Sequence, residues 1–599
     1  MQKTKMRINR FIMVGLVATS LLVSCKKENN TGGNASKDGF VAIMEQTDNA
    51  DNGGRSHINP ENWDNNSNWG VLWTTNDLIK IKNAEGTVQN YKLTQGANTT
   101  SGTFHTDEPN DSFLESSNFT AIYPDANEAG VANTISGTTA TFTLPATQTY
   151  KENSFAERSM PMVAYSTSQT LNFKNVLGGI CFPIVGTGFN VTRIVLTSNN
   201  TNDKLWGVFN ADCTSDDPMP SYSSDGDNTI TLDCSANGGV NLGNNPTYFC
   251  IMVPPGTLQE GFTLKAYNGE SIIFKKSTTS AMPENFIKRS FIRKVNNNLK
   301  VSIDITVGPG KKVVVAPGNL QWSASDTHNT ADGTGAGTFR FAPHQWEYIG
   351  NDNVNVSETY TGWIDLLSWA TSGWHNTADT YNIYYQPWSH TAIEDVVNAT
   401  YNWYGYGPST NMTDPNLVGT SLYYDWGQYN DIYNPSTQST DPFGTWRVFT
   451  ETEWDYMIDN RVTESGIRFA KATVHGVPGL LLVPDTWFPE NYTLNSYNEP
   501  TASFDSNVIS DADWEKIENG GCTFLPAAGY RNCFKTGEGV LYTELDQVGE
   551  YGYYWSSTHI DSKLAFRHYF SNDNMSTNDD NYMGNRYRGE SIRLVRDIE

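Results

Sequence analysis

Residues able to do chemistry are present in this chain, but few stand at working spacings. Three acids, Glu451, Glu453 and Asp455, fall within five positions. Two carboxylates side by side could divide general-acid and general-base work, as glycoside hydrolysis requires. The surrounding letters give them another task. Thr450-x-x-Glu453 has the form of a helix capping box, in which the hydroxyl meets the third helical amide and the carboxylate reaches back. Acids at a helix start are also favoured by its dipole. The nine His include no His-Glu-x-x-His pattern and no close pair at zinc spacing. No Gly-x-Ser-x-Gly elbow occurs. "GTGAGTF" at 333–339 lacks the glycine order and the following helix of a dinucleotide site, so it reads as a Gly-rich loop. No catalytic residue, metal ligand or cofactor is assigned. A non-enzymatic chain is expected, with an envelope glycan-processing hydrolase as the alternative.

The richest set of polar groups lies near the C-terminus. Between Trp555-Ser556-Ser557 and "RLVR" runs "THIDSKLAFRHYFSNDNMSTNDDNYMGNRYRGE", dense in Tyr, Asn, Asp, Ser, Arg and His. Tyr offers broad amphipathic contact, and small polar side chains offer adaptable hydrogen bonds, which is the chemistry of a recognition surface. His559, Asp561, Arg567, Tyr569, Asn572, Asp573, Asn574, Tyr582, Tyr587 and Arg588 are the candidate ligand-binding residues. Trp555 and Arg593-Leu594 are the expected framework anchors beside them, and Trp555, Phe566 and Phe570 are expected to be core.

A surface of this kind needs a body to carry it. The chain has 599 residues, 38% hydrophobic and 12% aromatic, enough for several domains with their own cores. The formal charge of −25 argues against nucleic acid as a partner. Lys3, Lys5, Arg7 and Arg10 precede an apolar run from Phe11 to Val23, the layout of a secretory signal peptide over 1–24. Leu22-Val23-Ser24-Cys25 resembles the bacterial lipobox. That resemblance implies lipidation at Cys25, a flexible tether over 25–37, and a partner in the outer-membrane lipid with the body facing the cell exterior. The other six Cys are too few for a disulfide scaffold; Cys522 and Cys533 either pair or remain buried thiols.

Two blocks follow the tether. The 17 Trp split 4 to 13 around residue 303, which marks the boundary, and Gly308-Pro309-Gly310 reads as its linker. The first block consists of short alternating strands such as "DLIKIKNAEG", "TATFTLPA" and "VTRIVLTSNN", bounded by Asn, Gly, Asp and Pro. The pattern implies β-sandwiches, placed at 38–166 and 167–302. The ordered motifs "FTAIYPD", "LPATQTY", "PMVAYS", "LNFKNVLGGI" and "YFCIMVPPGT" resemble the fimbrillin-like proteins of Bacteroidales. The resemblance implies tandem sandwiches used as pilus subunits or surface stalks, with pilus subunits as partners. Proteolysis after an Arg in the first domain occurs in some members; Arg55 and Arg158 are the positions open to it here.

In the second block, 303–599, a helix is expected after Thr450 and another over 363–370. "GNLQW", "WRVFTETEWDYM", Trp555-Ser556-Ser557 and "SIRLVR" resemble the formylglycine-generating-enzyme branch of the C-type-lectin-like fold. That enzyme's cysteine pair lies near its C-terminal end, where this chain has none past Cys533. Sugar-binding lectins of the fold hold calcium through Glu-Pro-Asn; here Glu499-Pro500 continues to Thr501, so no metal is assigned. The polar C-terminal stretch also resembles the variable region of proteins diversified by retroelements. The fold class expected is mainly β, with tandem fimbrillin-like β-sandwiches followed by an α+β C-type-lectin-like domain. The function expected is a lipid-anchored surface adhesin or pilus-tip-like protein with an unknown protein or glycan ligand; a structural pilus subunit without ligand is a further alternative. Replacing Cys25 with Ser is expected to move the protein from the membrane fraction to the soluble one and to abolish palmitate labelling. Unchanged membrane retention would contradict the lipid anchor.

Overall fold

The computed structural model describes residues 39–45, 57–58, 71–108, 110–186, 189–278, 280–326, 328, 337–356, 360–373, 416–535, 541–561, 564–576 and 583–598. Cys25, Arg55 and Tyr582 lie outside them. The chain is mainly β, as its alternating segments require. In the first block a seven-stranded sheet closes into a barrel, because Gly39–Met44 pairs in parallel with Thr170–Asn175 and antiparallel with Ser101–His105. The strand pairing therefore carries this sheet past residue 166. Trp73 fills the barrel with T-shaped contacts to Phe104, Tyr123 and Phe173, and its indole N–H donates to Ala42 O at 3.2 Å. Arg158 adopts φ +58° and pairs with Asp125 at 3.5 Å.

A two-sheet body follows. Five strands, from Thr147–Thr149 to Ser271–Ser277, face a sheet built on Gly178–Val185 and Thr247–Val253. These last two strands are buried almost throughout. A strand's side chains alternate between faces, so burial on both faces means a core on each side. Ile180, Phe182, Phe249 and Ile251 enter the second core, while Cys181, Tyr248, Cys250 and Met252 enter the first. Cys181 and Cys250 are directly paired across the strands and bonded to each other. Thr139–Leu144 pairs with Gly207–Asp212, tying the first half of the block to the second.

In the second block the Gly308-Pro309-Gly310 stretch is not a linker. It is the turn between Ile305–Gly308 and Lys311–Val315, and the latter strand pairs with the C-terminal strand Leu594–Ile598. The passage between blocks lies just before it, where Val301 and Asp304 are both buried. The capping box at Thr450 forms with both of its bonds, and the helix Glu451–Asp455 runs on into a wide turn over Tyr456–Asn460. The expected helix over 363–370 is absent. Residues 364–370 are all buried, and Ile364 and Leu367 bridge to Trp322 and Glu590; a chain enclosed on all sides gains backbone partners from neighbouring strands rather than presenting one helical face. The sequence reading missed the helix Asp511–Asn519, whose signals are the cap Ser510, the one-face pair Trp514 and Ile517, and the stop at Gly520-Gly521.

Gly521 has φ +90°, and a Cβ there would lie 2.3 Å from Ile303. The seam between the blocks is polar and specific. Asn491 accepts from the Ile272 amide at 2.7 Å and donates to the Ile272 carbonyl at 2.9 Å, standing in for a strand neighbour at the edge of the five-stranded sheet. Ser271 donates to Lys516 O, and Lys275 pairs with Glu490. With roughly 1 kcal/mol per net hydrogen bond, Asn491→Ala should weaken this docking by about 2 kcal/mol. Scanning calorimetry of that variant is expected to separate the melting of 303–599 from the rest, with faster proteolysis at 301–304. A melt identical to the parent's would show that the clamp holds nothing.

Candidate ligand-binding face

The face is a three-stranded sheet of Tyr551–His559, Leu564–Ser571 and Met583–Asn585. Trp555, paired with Arg567 and therefore on the same side of the sheet as Tyr553 and Tyr569, is fully buried, and its indole N–H donates to Leu367 O at 2.9 Å. Phe570 is buried too, whereas Phe566 is only half-buried. Arg593 is enclosed, and among the described residues no carboxylate pairs with it. Its guanidinium donates to Asn319 Oδ1 at 3.0 Å, Ala316 O at 3.1 Å and Phe524 O at 2.7 Å. Burial pulls its pKa down to about 10, so it remains a cation at neutral pH, held by oriented oxygens.

Opposite pairing runs from Tyr551↔Ser571 to Trp555↔Arg567, then jumps to His559↔Ala565. Between these pairs three residues, Ser556 to Thr558, lie opposite Phe566 alone. Such a bulge bends the strand and re-aims its end. It separates the candidate residues into three groups. Arg567 and Tyr569 lie mid-strand, with Tyr587 and Arg588 on the neighbouring segment. Asn572, Asp573 and Asn574 form the turn at one end; His559 and Asp561 lie at the other, about 26 Å away at ~3.3 Å per strand residue. The nine of these residues that are described do not make one patch.

The middle group is built from aromatic rings and guanidinium groups. Tyr553 packs edge-on to Tyr530 at 5.6 Å, parallel to Tyr551 at 5.6 Å, and tilted to Tyr569 at 6.2 Å. Arg567 lies 4.2 Å over the Tyr553 ring and Arg588 lies 4.4 Å over Tyr530. The hydroxyls of Tyr530 and Tyr553 donate to Asp546 and Gln547, at 2.8 and 2.6 Å. Rings fixed at both ends lose little entropy when something binds. Sequence reading found Arg567, Tyr569 and Arg588 but missed Tyr530, Tyr551 and Tyr553. The alternation of "YGYYW" was the available signal for the last two.

Arg567 is less a contact than a support. It pairs with Glu590, whose side chain is wholly enclosed, and is itself 9% exposed. Burial raises the Glu590 pKa, and the neighbouring Arg567 works against that rise. At the turn, Asn572 accepts from Ser503 Oγ at 2.8 Å and Phe504 N at 3.0 Å, Asp573 accepts from Ser571 Oγ at 3.0 Å, and Asn574 donates to the Tyr569 hydroxyl at 3.4 Å. Beneath it Lys471 donates to Pro500 O and Asn574 O, and burial pulls its pKa down to about 8. At the far end, the His559 amide donates to Asn416 Oδ1 at 2.9 Å, and Asp561 accepts from the Leu564 amide at 2.8 Å. Burial and then Arg586 lower the His559 pKa.

Of the acids singled out for possible catalysis, Glu453 is otherwise engaged. Glu453 closes the capping box and takes both terminal nitrogens of Arg447 at 2.7 and 2.8 Å. Asp455 is pushed up to about 6 by burial and then by Glu451. His568 stacks on Trp454 at 4.9 Å, and burial pushes its pKa down to about 3, so it is neutral. Among the described residues no three His, Cys, Asp or Glu side chains gather at metal-binding distances. Cys522 is a buried free thiol whose pKa is raised by that burial; the Cys533 side chain lies outside the described ones.

No family model and no curated protein matches the sequence. Among solved structures, a candidate cell adhesion protein from Bacteroides ovatus is 12% identical over 44% of this chain and 91% of its own, with a TM-score of 0.28. A fimbrial assembly protein from Parabacteroides distasonis is 8% identical over 46% of this chain and 94% of its own, at 0.21. A fimbrial protein from Bacteroides ovatus is 11% identical over 94% of this chain and 99% of its own, at 0.22. Likenesses at these scores are partial, and the chemistry of the face is what bears on function.

Arg567→Ala strands a wholly enclosed carboxylate, and breaking a buried pair costs about 3–5 kcal/mol. Denaturant unfolding is expected to register that loss, and the double change Arg567→Met with Glu590→Leu is expected to recover most of it. Equal destabilisation by the single and double variants would mean that the pair is not what holds the sheet.

Proposed function

We propose that this chain is a lipid-anchored cell-surface binding protein, adhesin-like or pilus-tip-like, in which residues 38–302 serve as a stalk and residues 303–599 present a ligand face. The observation that carries this reading is the fixed Tyr and Arg layer on the C-terminal sheet. Tyr and Arg dominate the energetics of protein recognition because each combines a large apolar area with a directional polar group. Here the layer is rigid before any ligand arrives, since its rings are held by Asp546, Gln547 and the Arg567–Glu590 pair. The motifs resembling fimbrillin-like and C-type-lectin-like proteins, and the retroelement-type composition of the last residues, support the same assignment. The ligand would be a protein or a glycan met at the outer surface, with Tyr551, Tyr569, Tyr587 and Arg588 as its principal contacts. Arg567 positions Tyr553 rather than touching ligand.

The test separates face from framework. In the triple variant Tyr569→Ala, Tyr587→Ala and Arg588→Ala, adhesion of expressing cells to host or bacterial surfaces is expected to fall at least tenfold. These positions are only half-buried, so the melting temperature should move by a few degrees at most. Normal adhesion by the triple variant, or full adhesion by residues 38–302 alone, would favour a structural pilus subunit without a ligand.

A further inference from the structure

A second site stands in the middle body, away from the ligand face. A cavity of about 270 Å³ opens between its two sheets. Its walls are Phe182, Phe262, Leu264, Met282, Phe286 and Leu299. The opening has a physical cause in the strand register. Ile292–Lys294 pairs with Gly179–Cys181, and Leu299–Lys300 pairs with Ile184–Val185. From Cys181 to Ile184 is three steps, while from Lys294 to Leu299 is five. Two surplus residues therefore bow the sheet edge outward beside Phe182, and the core is left accessible there.

The mouth of this cavity is cationic. Lys276, Arg293 and Lys294 line it. In a chain with 65 acids against 40 Lys and Arg, cations usually find carboxylates. Lys275 pairs with Glu490, Arg193 with Glu270, and Arg289 with both Glu45 and Asp217. Among the described residues no ion pair takes up Lys276, Arg293 or Lys294. Arg293 instead donates through Nε to Phe286 O at 2.6 Å and lies 4.7 Å over the Phe286 ring, and Lys294 lies 4.7 Å over Tyr248. The first contact fixes Arg293 at the rim without a carboxylate partner among the described residues, whereas Lys294, in register with Cys181 and set over Tyr248, points its ammonium to the barrel side of the wall. Cations held partly out of water and without counter-charge favour an anion at this opening.

We propose that this cavity binds a single-chain amphiphilic carboxylate, with the hydrocarbon between the sheets and the carboxylate at Lys276 and Arg293. At ~30 Å³ for each water-sized group, the space holds about nine non-hydrogen atoms of chain, which matches a medium-chain acid. Short anions lack the apolar body that the aromatic walls would cover, and neutral alcohols lack the charge that the rim would meet. The site stands whatever the C-terminal face binds, and its failure would leave that face untouched.

The test uses the full chain carrying Cys25→Ser, so that no detergent competes for the cavity. Calorimetric titration with sodium decanoate below its micelle-forming concentration is expected to show saturable one-to-one binding. Decanol and acetate are expected to bind at least tenfold more weakly. Lys276→Gln should weaken decanoate at least tenfold without changing the melting temperature, since that side chain reaches solvent. Met282→Trp, which places a large ring in the opening, should abolish binding. Decanol binding as tightly as decanoate, a rim variant that binds like the parent, or no saturable decanoate binding would each overturn the proposal.

Discussion

The two strands Gly178–Val185 and Thr247–Val253 form a wall with a hydrophobic core on either side. Most antiparallel sheets bury one face and wet the other. Here every second residue serves the barrel core and the alternate ones serve the two-sheet core. A one-residue slip would exchange the two sets, so register is fixed from both sides. The Cys181–Cys250 bond locks that register at its midpoint. Because neither core can be completed without the wall, the first block is a pair of mutually dependent bodies rather than two beads on a string.

In residues 303–599 the organising groups are buried charges. Arg593 reaches oxygens of Ala316 and Asn319, Gln345, and Phe524, three separate segments, and Arg461 does similar service for Val483 O, Arg468 O and Asp485. An enclosed guanidinium held by oriented oxygens, as at Arg593 through all its nitrogens and at Arg461 through its two terminal ones, favours one arrangement of the surrounding loops, because any other leaves a charge without partners. Long polar connections, which dominate this half of the chain, need such fixed points. The sheet bearing the Tyr and Arg layer inherits its rigidity from them.

The joint between the two halves uses another device. Asn491 offers an amide side chain to the open edge of the five-stranded sheet and satisfies both backbone groups of Ile272. That protects an edge that would otherwise be available for strand pairing, and it sets the direction in which the C-terminal face is carried. The cavity of the middle body lies between its two sheets, where two extra residues in the opposite edge undo the tight packing that the wall enforces elsewhere.

Much of this organisation was legible in the letters. Alternating Val, Ile, Thr and Phe dictated strands, because side-chain period alone assigns a face. Thr450-x-x-Glu453 dictated a helix start, since its two bonds close within four residues. Trp555 and Arg593 were recognisable as anchors by type and position. What the letters could not decide was anything that depends on which distant segment arrives alongside. The run 363–370 looks helical in isolation but is enclosed by strands, and Gly308-Pro309-Gly310 looks like a linker but turns a hairpin against the C-terminal strand. Arg567 looks like a contact until Glu590, more than twenty positions on, is brought against it. Local bonds are written in neighbouring residues; burial and charge pairing are properties of the space those residues come to share, and only the tertiary structure decided them.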